Sequence, residues 1–402
     1  MTAQATTPST PPTDRYAPEF SIGPGSRPDP DLHDDVLDLR VTAKLNEAAR
    51  FDLTVSNWDP ERCAFKYEDD GPFALGAPLR IGLGYAGALV TVFSGIVTTV
   101  AQRFPDSGPP TLSVGGQDAL FRLKDSKPKD SDDKVHRNRT DSEIARRVAQ
   151  RNHLKAVVSP SDLVHELVIQ KNQDDASFLL DRAKRIDFDC FVVPSADDGQ
   201  DELHFELPAD GRGGSGRMRV WRLAYGPGLA TPDAGIDRGG RLPAREVPAD
   251  PNLIDFSPTV SLSRQVGKVT VRGWDSARRR LIEYTAKASD LPSGTGSGKT
   301  GPGLAATSLG DREDVVLSAP VLSLQEAKAL AVALLRKRSY EFVTAAGRIA
   351  GFAELRPGHS LDVYGVGRRF SGLYYVTQVD HALGGSGFTT SFTARKIHEG
   401  VG

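Results

Sequence analysis

The chain has 402 residues, more than one hydrophobic core usually holds, so we expect two or three domains. Its 50 Lys and Arg residues nearly balance 52 Asp and Glu residues, which argues against a polyanion such as nucleic acid as the partner. Short basic runs at residues 278–280 and 336–338 are expected in solvent. No stretch approaches about 18 consecutive apolar residues, and the N-terminus lacks signal-peptide features. The composition therefore predicts a protein made in the cytoplasm, without a signal peptide or membrane segment.

Residues 31–124 alternate apolar and polar side chains, after an N-terminal segment, residues 1–30, whose seven prolines predict a disordered arm. The alternation is clearest in DVLDLRVTAKL, FDLTVSNW and PLRIGLGY and continues to about residue 120. A period of two residues with β-branched and aromatic side chains predicts half-buried antiparallel strands. Several such strands in succession indicate a first β-barrel.

The middle of the chain, residues 125–208, combines helical and strand signals. Thr140 and Glu143 form a capping-box pattern before a helical apolar repeat, and Asp174 precedes a second amphipathic segment. The segments DCFVVPS and ELHFEL then predict strands, so we expect an α/β insert. Residues 209–250 are rich in Gly, Pro and Arg, which predicts a linker or an extended arm.

Residues 251–397 return to strand patterns and predict a second β-barrel. They include a Gly- and Ser-rich stretch, residues 289–315, which predicts a mobile loop. A helix is predicted over residues 324–340, because Ser323 and Glu326 give a second capping-box pattern ahead of an apolar face. The expected fold class is mixed α+β and mainly β: two antiparallel β-barrels, an α/β insert between them and one helix within the second barrel region.

The two β-rich regions share an internal repeat. Each copy has a glycine, two apolar residues at alternate positions, a glycine-bearing turn, a Phe-Ser-Gly triplet and an alternating strand, IVTTV or LYYVTQV. The matching positions are Gly76, Leu79, Ile81, Phe93, Ser94 and Gly95 in one copy and Gly358, Leu361, Val363, Phe370, Ser371 and Gly372 in the other. The second turn is about five residues shorter. Such self-similarity indicates two related β-barrels.

The stretch PSGTGSGKTG ends like a phosphate-binding loop, since Gly298, Lys299 and Thr300 match the end of that motif. Ser293 occupies the first glycine position, and Pro302 with further glycines follows, so we expect no helix to begin there. The stretch is therefore interpreted as a mobile loop and not as a nucleotide site.

Other catalytic patterns are incomplete. Residues 358–362, GHSLD, resemble a nucleophile elbow but end in Asp362 and lie between strands. The eight histidines, at positions 33, 136, 153, 165, 204, 359, 381 and 398, form no HExxH or HxH pair for zinc. Cys63 and Cys190 lie beside apolar or aromatic residues, which predicts buried, reduced thiols. We expect no catalytic, cofactor-binding or metal-binding residues.

Three parts of the chain resemble one protein family. The segments FDLTVSNWD, FALGAPLRIGLGY, VFSGIVTTV and LSVGGQD resemble the first barrel of the phage late control gene D proteins, baseplate hubs of contractile tails that are related to the hub half of VgrG. VIQKNQDDASFLLDRAKRIDFDCFV resembles that family's helix-strand segment and departs slightly from it at DASF. LRPGHSLDVYGVGRRFSGLYYVTQVDHAL and GFTTSFTARK resemble its second barrel. The resemblance covers roughly residues 33–397 and lies in pattern and order.

The resemblance implies a homotrimer in which two tube-like barrels per chain form a ring of six, matching a threefold spike to a sixfold tube. Full-length VgrG-like proteins continue into an OB-fold and a β-helical spike, whereas this sequence stops after TARKIHEGVG. The expected partners are therefore a separate spike protein below, a tube or tube-initiator protein above and other baseplate proteins. The expected location is the baseplate of a phage or a phage-tail-like injection particle.

Three other functions compete with this one. A cell-wall-degrading tip enzyme would need a concave site with convergent carboxylates, for which the sequence offers no motif. A nucleic-acid-binding regulator is disfavoured by the balanced charge and the lack of a recognition helix. A carbohydrate-binding β protein would present an aromatic cluster, and the tryptophans at positions 58, 221 and 274 are scattered along the chain.

Overall fold

The fold is mixed α+β and mainly β, as the sequence predicts. A computed structural model describes residues 18–24, 30–67, 71–85, 88–128, 131–196, 199–209, 219–225, 253–275, 278–291, 299–310, 312–385 and 387–400. Among these residues, twelve strands form one large sheet, and smaller sheets and α-helices pack beside it.

The first half of the large sheet curls around its own core. Its strands are β1 (Pro18–Pro24), β2 (Val36–Lys44), β3 (Arg50–Ser56), β4 (Pro78–Tyr85), β5 (Ala88–Arg103) and β6 (Thr111–Asp118). Their spatial order is β1-β4-β5-β6-β3-β2, and each neighbouring pair is antiparallel. All six strands place apolar side chains, among them Ile22, Leu39 and Phe51, in one buried core, which requires a curved sheet.

An α/β insert follows the first half. Its elements are α1 (Ala119–Asp125), α2 (Ser131–Lys134), β7 (Val135–Thr140), α3 (Asp141–Arg151), β8 (Lys155–Val158), β9 (Val164–Ile169), α4 (Asp175–Ile186), β10 (Asp189–Val193) and β11 (Glu202–Glu206). The strands form a sheet in the order β10-β11-β8 and a ribbon of β7 and β9. Thr140 and Glu143 make the predicted capping box of α3, and Asp174 caps α4.

The described residues after β11 form the second half of the large sheet and a second insert. The elements are β12 (Val220–Ala224), β13 (Leu253–Val260), β14 (Lys268–Asp275), β15 (Arg280–Lys287), α5 (Gly301–Ser308), β16 (Glu313–Val316), α6 (Leu324–Ser339), β17 (Val343–Ala350), β18 (Ser360–Tyr364), β19 (Gly372–Gly384) and β20 (Gly387–Lys396). Six of the strands continue the large sheet in the order β12-β18-β19-β20-β17-β13 around a core that includes Trp221 and Phe392. The second insert packs β15-β14-β16 on α6.

The two halves of the large sheet have the same architecture. Matched in chain order, β1 to β6 correspond to β12, β13, β17, β18, β19 and β20, and both sets have the same spatial order. Each half has an exposed apolar bulge before an aspartate, Leu37 in β2 and Ile254 in β13. Each long strand has a threonine bulge, Thr98 in β5 and Thr377 in β19, whose hydroxyl donates to a carbonyl of the next strand. The repeat therefore extends over whole halves, although β1 is antiparallel to β4 while β12 is parallel to β18.

The repeat motif contains a two-residue difference between its copies. The bulges align VTTV, residues 97–100, with VTQV, residues 376–379, but the Phe-Ser-Gly triplet lies two residues further from the bulge in the second copy. Ile81 consequently faces Phe93 in the first hairpin, whereas Val363 faces Gly372 in the second. The second copy has 8 residues between its facing pair and the first copy has 11, and the strand order is unchanged.

Pairing between β2 and β19 joins the two halves; we call this pairing the seam. One edge of β19 pairs with β18 through residues 372–375 and then with β2 through residues 378–383. Leu383 faces Leu39 and is buried in the core of the first half. The Thr42 hydroxyl donates to Asp380 Oδ1 at 2.7 Å. The seam therefore connects the two halves of the large sheet through both backbone and side chains.

Three segments predicted to be irregular contain regular structure. Residues 18–24 of the predicted arm form β1, because Ile22 is buried and the backbone pairs with β4. Residues 220–224 of the predicted linker form β12, which pairs with β18. The predicted mobile loop contains α5 and the start of β16. Other parts of these segments lie outside the described residues: 1–17, 25–29, 210–218, 226–250, 292–298 and 311.

Several local predictions also need correction. The strands SLSRQVGKVTVRGWD and RLIEYTAKA, predicted for the second barrel, belong to the second insert as β14 and β15, while α6 confirms the predicted helix. Cys190 is buried as predicted, but Cys63 is exposed. Arg336 was predicted in solvent and is only 3% exposed. None of the helices in the described residues is long and apolar enough to cross a membrane.

We expect Phe51→Ala to destabilise both halves together, because the seam makes them one sheet. Loss of this buried ring should lower the free energy of unfolding by about 3–5 kcal/mol. The measurement is urea unfolding of proteins that also carry Trp58→Phe and Trp274→Phe. Trp221 is then the one remaining tryptophan, and its fluorescence reports the second core. An unchanged Trp221 transition would contradict the coupling. Leu281→Ala, at a side chain of β15 that is 57% exposed, is the control and should change stability by about 0.5 kcal/mol or less.

Candidate assembly interface

The stretch that resembles a phosphate-binding loop is followed by a helix, contrary to the prediction. α5 begins at Gly301, and the Thr300 hydroxyl accepts a 3.1 Å hydrogen bond from the Gly303 N–H. Gly301 and Pro302 are buried, and Pro302 has no N–H to offer a phosphate. The helix therefore begins inside the protein, beside Gln265. Residues 292–298 of the stretch lie outside the described residues.

The GHSLD segment is part of the large sheet and not a nucleophile elbow. Ser360 is 4% exposed and lies in β18, between β12 and β19. Trp221 Nε1 donates to His359 Nδ1 at 3.2 Å. Burial lowers the pKa of His359 to about 3, so the ring is neutral near pH 7. Both side chains contribute to the packing of the second half.

Two other buried histidines are also neutral near pH 7. Burial lowers the pKa of His136 and of His381 to about 4. His136 stacks on Phe178 with 5.7 Å between the ring centroids, and His381 Nδ1 lies 3.0 Å from Thr390 Oγ1. Within the part of the chain that the structure describes, no group of three His, Cys, Asp or Glu side chains is placed to hold a metal ion.

A buried ionic cluster connects the two inserts with the second half of the sheet. Arg336 Nε of α6 lies 3.0 Å from Asp187 Oδ2, and the Tyr340 hydroxyl donates to the same oxygen at 2.5 Å. Arg395 of β20 lies 3.4 Å from the centroid of the Tyr340 ring and 4.0 Å from Asp189 Oδ2. Burial raises the pKa of Asp187 to about 6, although Arg336 opposes this change. Arg336 is thus a structural residue.

Asp189 connects the α/β insert to both halves of the large sheet. Asn46, which follows β2, donates from Nδ2 to Asp189 Oδ1 at 2.9 Å. The Tyr375 hydroxyl of β19 donates to Asp189 Oδ2 at 2.8 Å. Because both carboxylate oxygens have partners from different halves, the start of β10 is fixed against the sheet close to the seam.

His165 in β9 connects the two inserts directly. Its Nε2 lies 3.0 Å from Asp141 Oδ2 of α3, and its Nδ1 lies 3.3 Å from Glu326 Oε1 of α6. Burial and the Arg182 guanidinium oppose protonation, but the two carboxylates raise the pKa of His165. The Ser323 hydroxyl accepts from the Glu326 N–H, but Glu326 Oε2 accepts from the Leu322 N–H instead of the Ser323 N–H, so the predicted capping box is incomplete.

Some edges of the large sheet lack a partner strand among the described residues. β1 and β13 lie at the two ends of the strand order. A further open edge runs along the last third of β5, because β4 and the two residues before it pair only with residues 88–97 while β6 covers the other edge as far as Arg103. Residues 99–103 are all exposed, so neither face of this segment is covered. Such edges are suited to pairing with another chain.

Half-buried Trp58 and exposed Phe65 and Phe104 form an aromatic cluster beside the open edge of β5. Trp58 and Phe65 have ring centroids 5.7 Å apart, and Phe65 and Phe104 are 5.9 Å apart. Phe104 directly follows β5 and is 66% exposed. This cluster is not predicted from the sequence, because Phe104 is distant along the chain from Trp58 and Phe65. The repeat aligns Phe104 with Leu383 of the seam only once the bulges of the two halves are matched in the structure.

We expect His165→Gln to weaken the contact between the inserts in a pH-dependent way. A histidine whose pKa is raised by folding contributes stability below its unfolded pKa of about 6.5, and this contribution is lost as pH rises through the folded pKa. The variant should lose about 2 kcal/mol of unfolding free energy at pH 6 and less at pH 9. Urea unfolding at both pH values measures this. An equal loss at both values would contradict it, and His33→Gln, at an exposed site, is the control.

Three solved structures show what fold the chain has. The 43 kDa tail protein of prophage MuSo2 from Shewanella oneidensis matches with a TM-score of 0.63 and 15% identity, over 95% of this chain and 99% of that chain. A tail protein from Neisseria meningitidis matches with a TM-score of 0.63 and 14% identity, over 95% and 98% of the two chains. An E. coli component of the type VI secretion system, described as similar to bacteriophage T4 tail proteins, gives 0.51 and 14%, over 94% and 76%.

The family assignment comes from sequence. A search of curated proteins finds no match. The family model described as the Alg8 N-terminal domain matches residues 31–238 and 241–384, which is most of the chain. The chain has the fold of phage tail proteins and belongs to the Alg8 N-terminal domain family.

Proposed function

We propose that this protein is a structural baseplate hub of a contractile tail or injection particle, and that it acts as a trimer. The observation that carries the proposal is that one chain holds two six-stranded units with the same strand order. Three chains supply six such units, which suit a sixfold tube, while the assembly keeps threefold symmetry for a spike. The fold shared with phage tail proteins supports this role.

The partners that follow from this role are a separate spike protein, a tube or tube-initiator protein and other baseplate proteins. Exposed apolar side chains are available for such contacts on several parts of the surface. Leu75 is 69% exposed before β4, and Leu322 is 76% exposed before α6. Side chains of this size in solvent commonly mark sites of protein contact when they cluster.

The proposal gives the protein no catalytic role and no nucleic acid partner. The serine of the GHSLD segment is buried in a strand, and the charges of the chain are balanced. A carbohydrate-binding role fits the aromatic cluster poorly. Its neighbouring rings meet at 70° and 76°, so they do not form a flat platform for a sugar ring.

Light scattering of the purified protein, alone and with the candidate spike protein from a neighbouring gene, tests the proposal. We expect a mass of about 130 kDa, three times the chain mass of 43.2 kDa, or a monomer that becomes a three-to-three complex with the spike. Each chain should contribute equally, because the six units come from three identical chains. A stable monomer that does not bind the spike would contradict the hub role.

A further inference from the structure

The seam shows how one six-stranded unit meets the next. It uses the outer edge of β2 on one side and residues 378–383 of β19 on the other. By the strand correspondence, β13 is the equivalent of β2, and β5 is the equivalent of β19. The described part of the chain therefore contains a second copy of each partner edge. Both copies are open there: the outer edge of β13 and the edge of β5 beyond Val97.

The bulges fix the register of this correspondence. Thr98 matches Thr377, so Ala101 matches Asp380 and Phe104 matches Leu383. Ile254 matches Leu37, so Thr259 matches Thr42 and Phe256 matches Leu39. Within the seam, Thr42 faces Asp380 and Leu39 faces Leu383.

We propose that β13 of one chain pairs antiparallel with residues 99–104 of a neighbouring copy, in the register of the seam. These residues are the last part of β5 and the residue that follows it. Thr259 of one copy then lies opposite Ala101 of the next, and Phe256 lies opposite Phe104. This inference rests on the proposed assembly and names its contact surface and partner. Because the two edges differ, the contact is head to tail, which closes into a ring when the rotation between units permits.

The exposure of the β5 side chains supports this partner. Val100 and Phe104 are 39% and 66% exposed. Their equivalents in the seam are Val379, which is fully buried, and Leu383, which is 8% exposed. The open edge of β5 thus carries apolar side chains at the positions that the seam buries. Pairing with β13 would remove them from water, which is favourable by the hydrophobic effect.

Pro258 makes the contact between chains weaker than the seam. The Ser261 N–H donates to Phe342 O at 2.9 Å, so by alternation residues 257 and 259 direct their backbone groups toward β17, and Pro258 faces outward. Pro258 occupies the position of Val41 in the seam and has no N–H, so one hydrogen bond is missing from the ladder between chains. Proline at this position also protects the edge of a free chain from unspecific pairing.

A disulfide across the predicted register tests the proposal. The Leu45 N–H donates to Thr377 O at 3.0 Å, so Thr42 and Asp380 form a non-hydrogen-bonded pair, in which side chains approach closely. Thr259 and Ala101 occupy the same kind of position, and both are exposed in the single chain. Thr259→Cys with Ala101→Cys, in a Cys63→Ser background, should form a disulfide between chains on mild oxidation.

The register control is Ser257→Cys with Ala101→Cys in the same background, which moves one cysteine two residues along β13. The Cα separation should then exceed about 7 Å, and no disulfide should form. The proposal predicts disulfide-linked species on a non-reducing gel, up to a covalent trimer, for Thr259→Cys with Ala101→Cys. It predicts none for the register control. A trimer by light scattering in which neither pair is linked, or both are linked equally, would overturn this contact but not the hub role.

A second variant tests the same contact without cysteines. Phe104→Ser should raise the dissociation constant of the assembly at least about tenfold, because this ring would meet Phe256 of the next copy. Trp274→Ser, at an exposed aromatic residue of the second insert, is the matched control and should leave assembly unchanged. Thermal unfolding checks that both variants are folded. Equal effects of the two variants on the dissociation constant would contradict the proposal. An unchanged dissociation constant for folded Phe104→Ser would contradict it as well.

Discussion

Backbone pairing between β2 and β19 is the interaction on which the rest of the structure depends. A curled six-stranded sheet that stands alone leaves two edges with unpaired N–H and C=O groups. In the seam, β19 is long enough to continue past β18, pair with β2 and carry Leu383 into the first core. Two related units thereby share one sheet, and their relative orientation is set by the register of six residue pairs. A fixed orientation is what a repeating ring of units requires.

The two inserts are held to this sheet by buried charges. Asp189 accepts hydrogen bonds from Asn46 of the first half and Tyr375 of the second, and Asp187 is paired with Arg336 of α6. Removing charges from water costs free energy, so such a cluster contributes more to a defined arrangement than to stability. Loss of one partner would leave the others buried without compensation. The cluster therefore explains why Arg336 is buried although it belongs to a run of three basic residues.

Alternation and capping patterns made much of the fold predictable from sequence. Strands β2 to β6 of the first half, the Thr140 cap of α3 and the helix α6 all follow local rules that act within one segment. β1 and β12 were missed because their partners are distant in sequence and they lie in segments rich in proline or glycine. α5 was missed because Pro302 lies in the first turn of the helix, where proline does not break it, and because burial supports the Gly-rich start. The exposed role of Phe104 becomes visible only when the bulges align the two halves.

The most direct test of the central claim is cryo-electron microscopy of the purified assembly, bound to its spike if the protein alone is a monomer. The claim is that each chain contributes two equivalent sheet units to one ring. We expect a closed ring of six similar lobes, two from each chain, with the same rotation between lobes within a chain and across a chain boundary. A particle in which the two halves occupy unrelated positions, or in which the lobes do not close into a ring, would contradict the account.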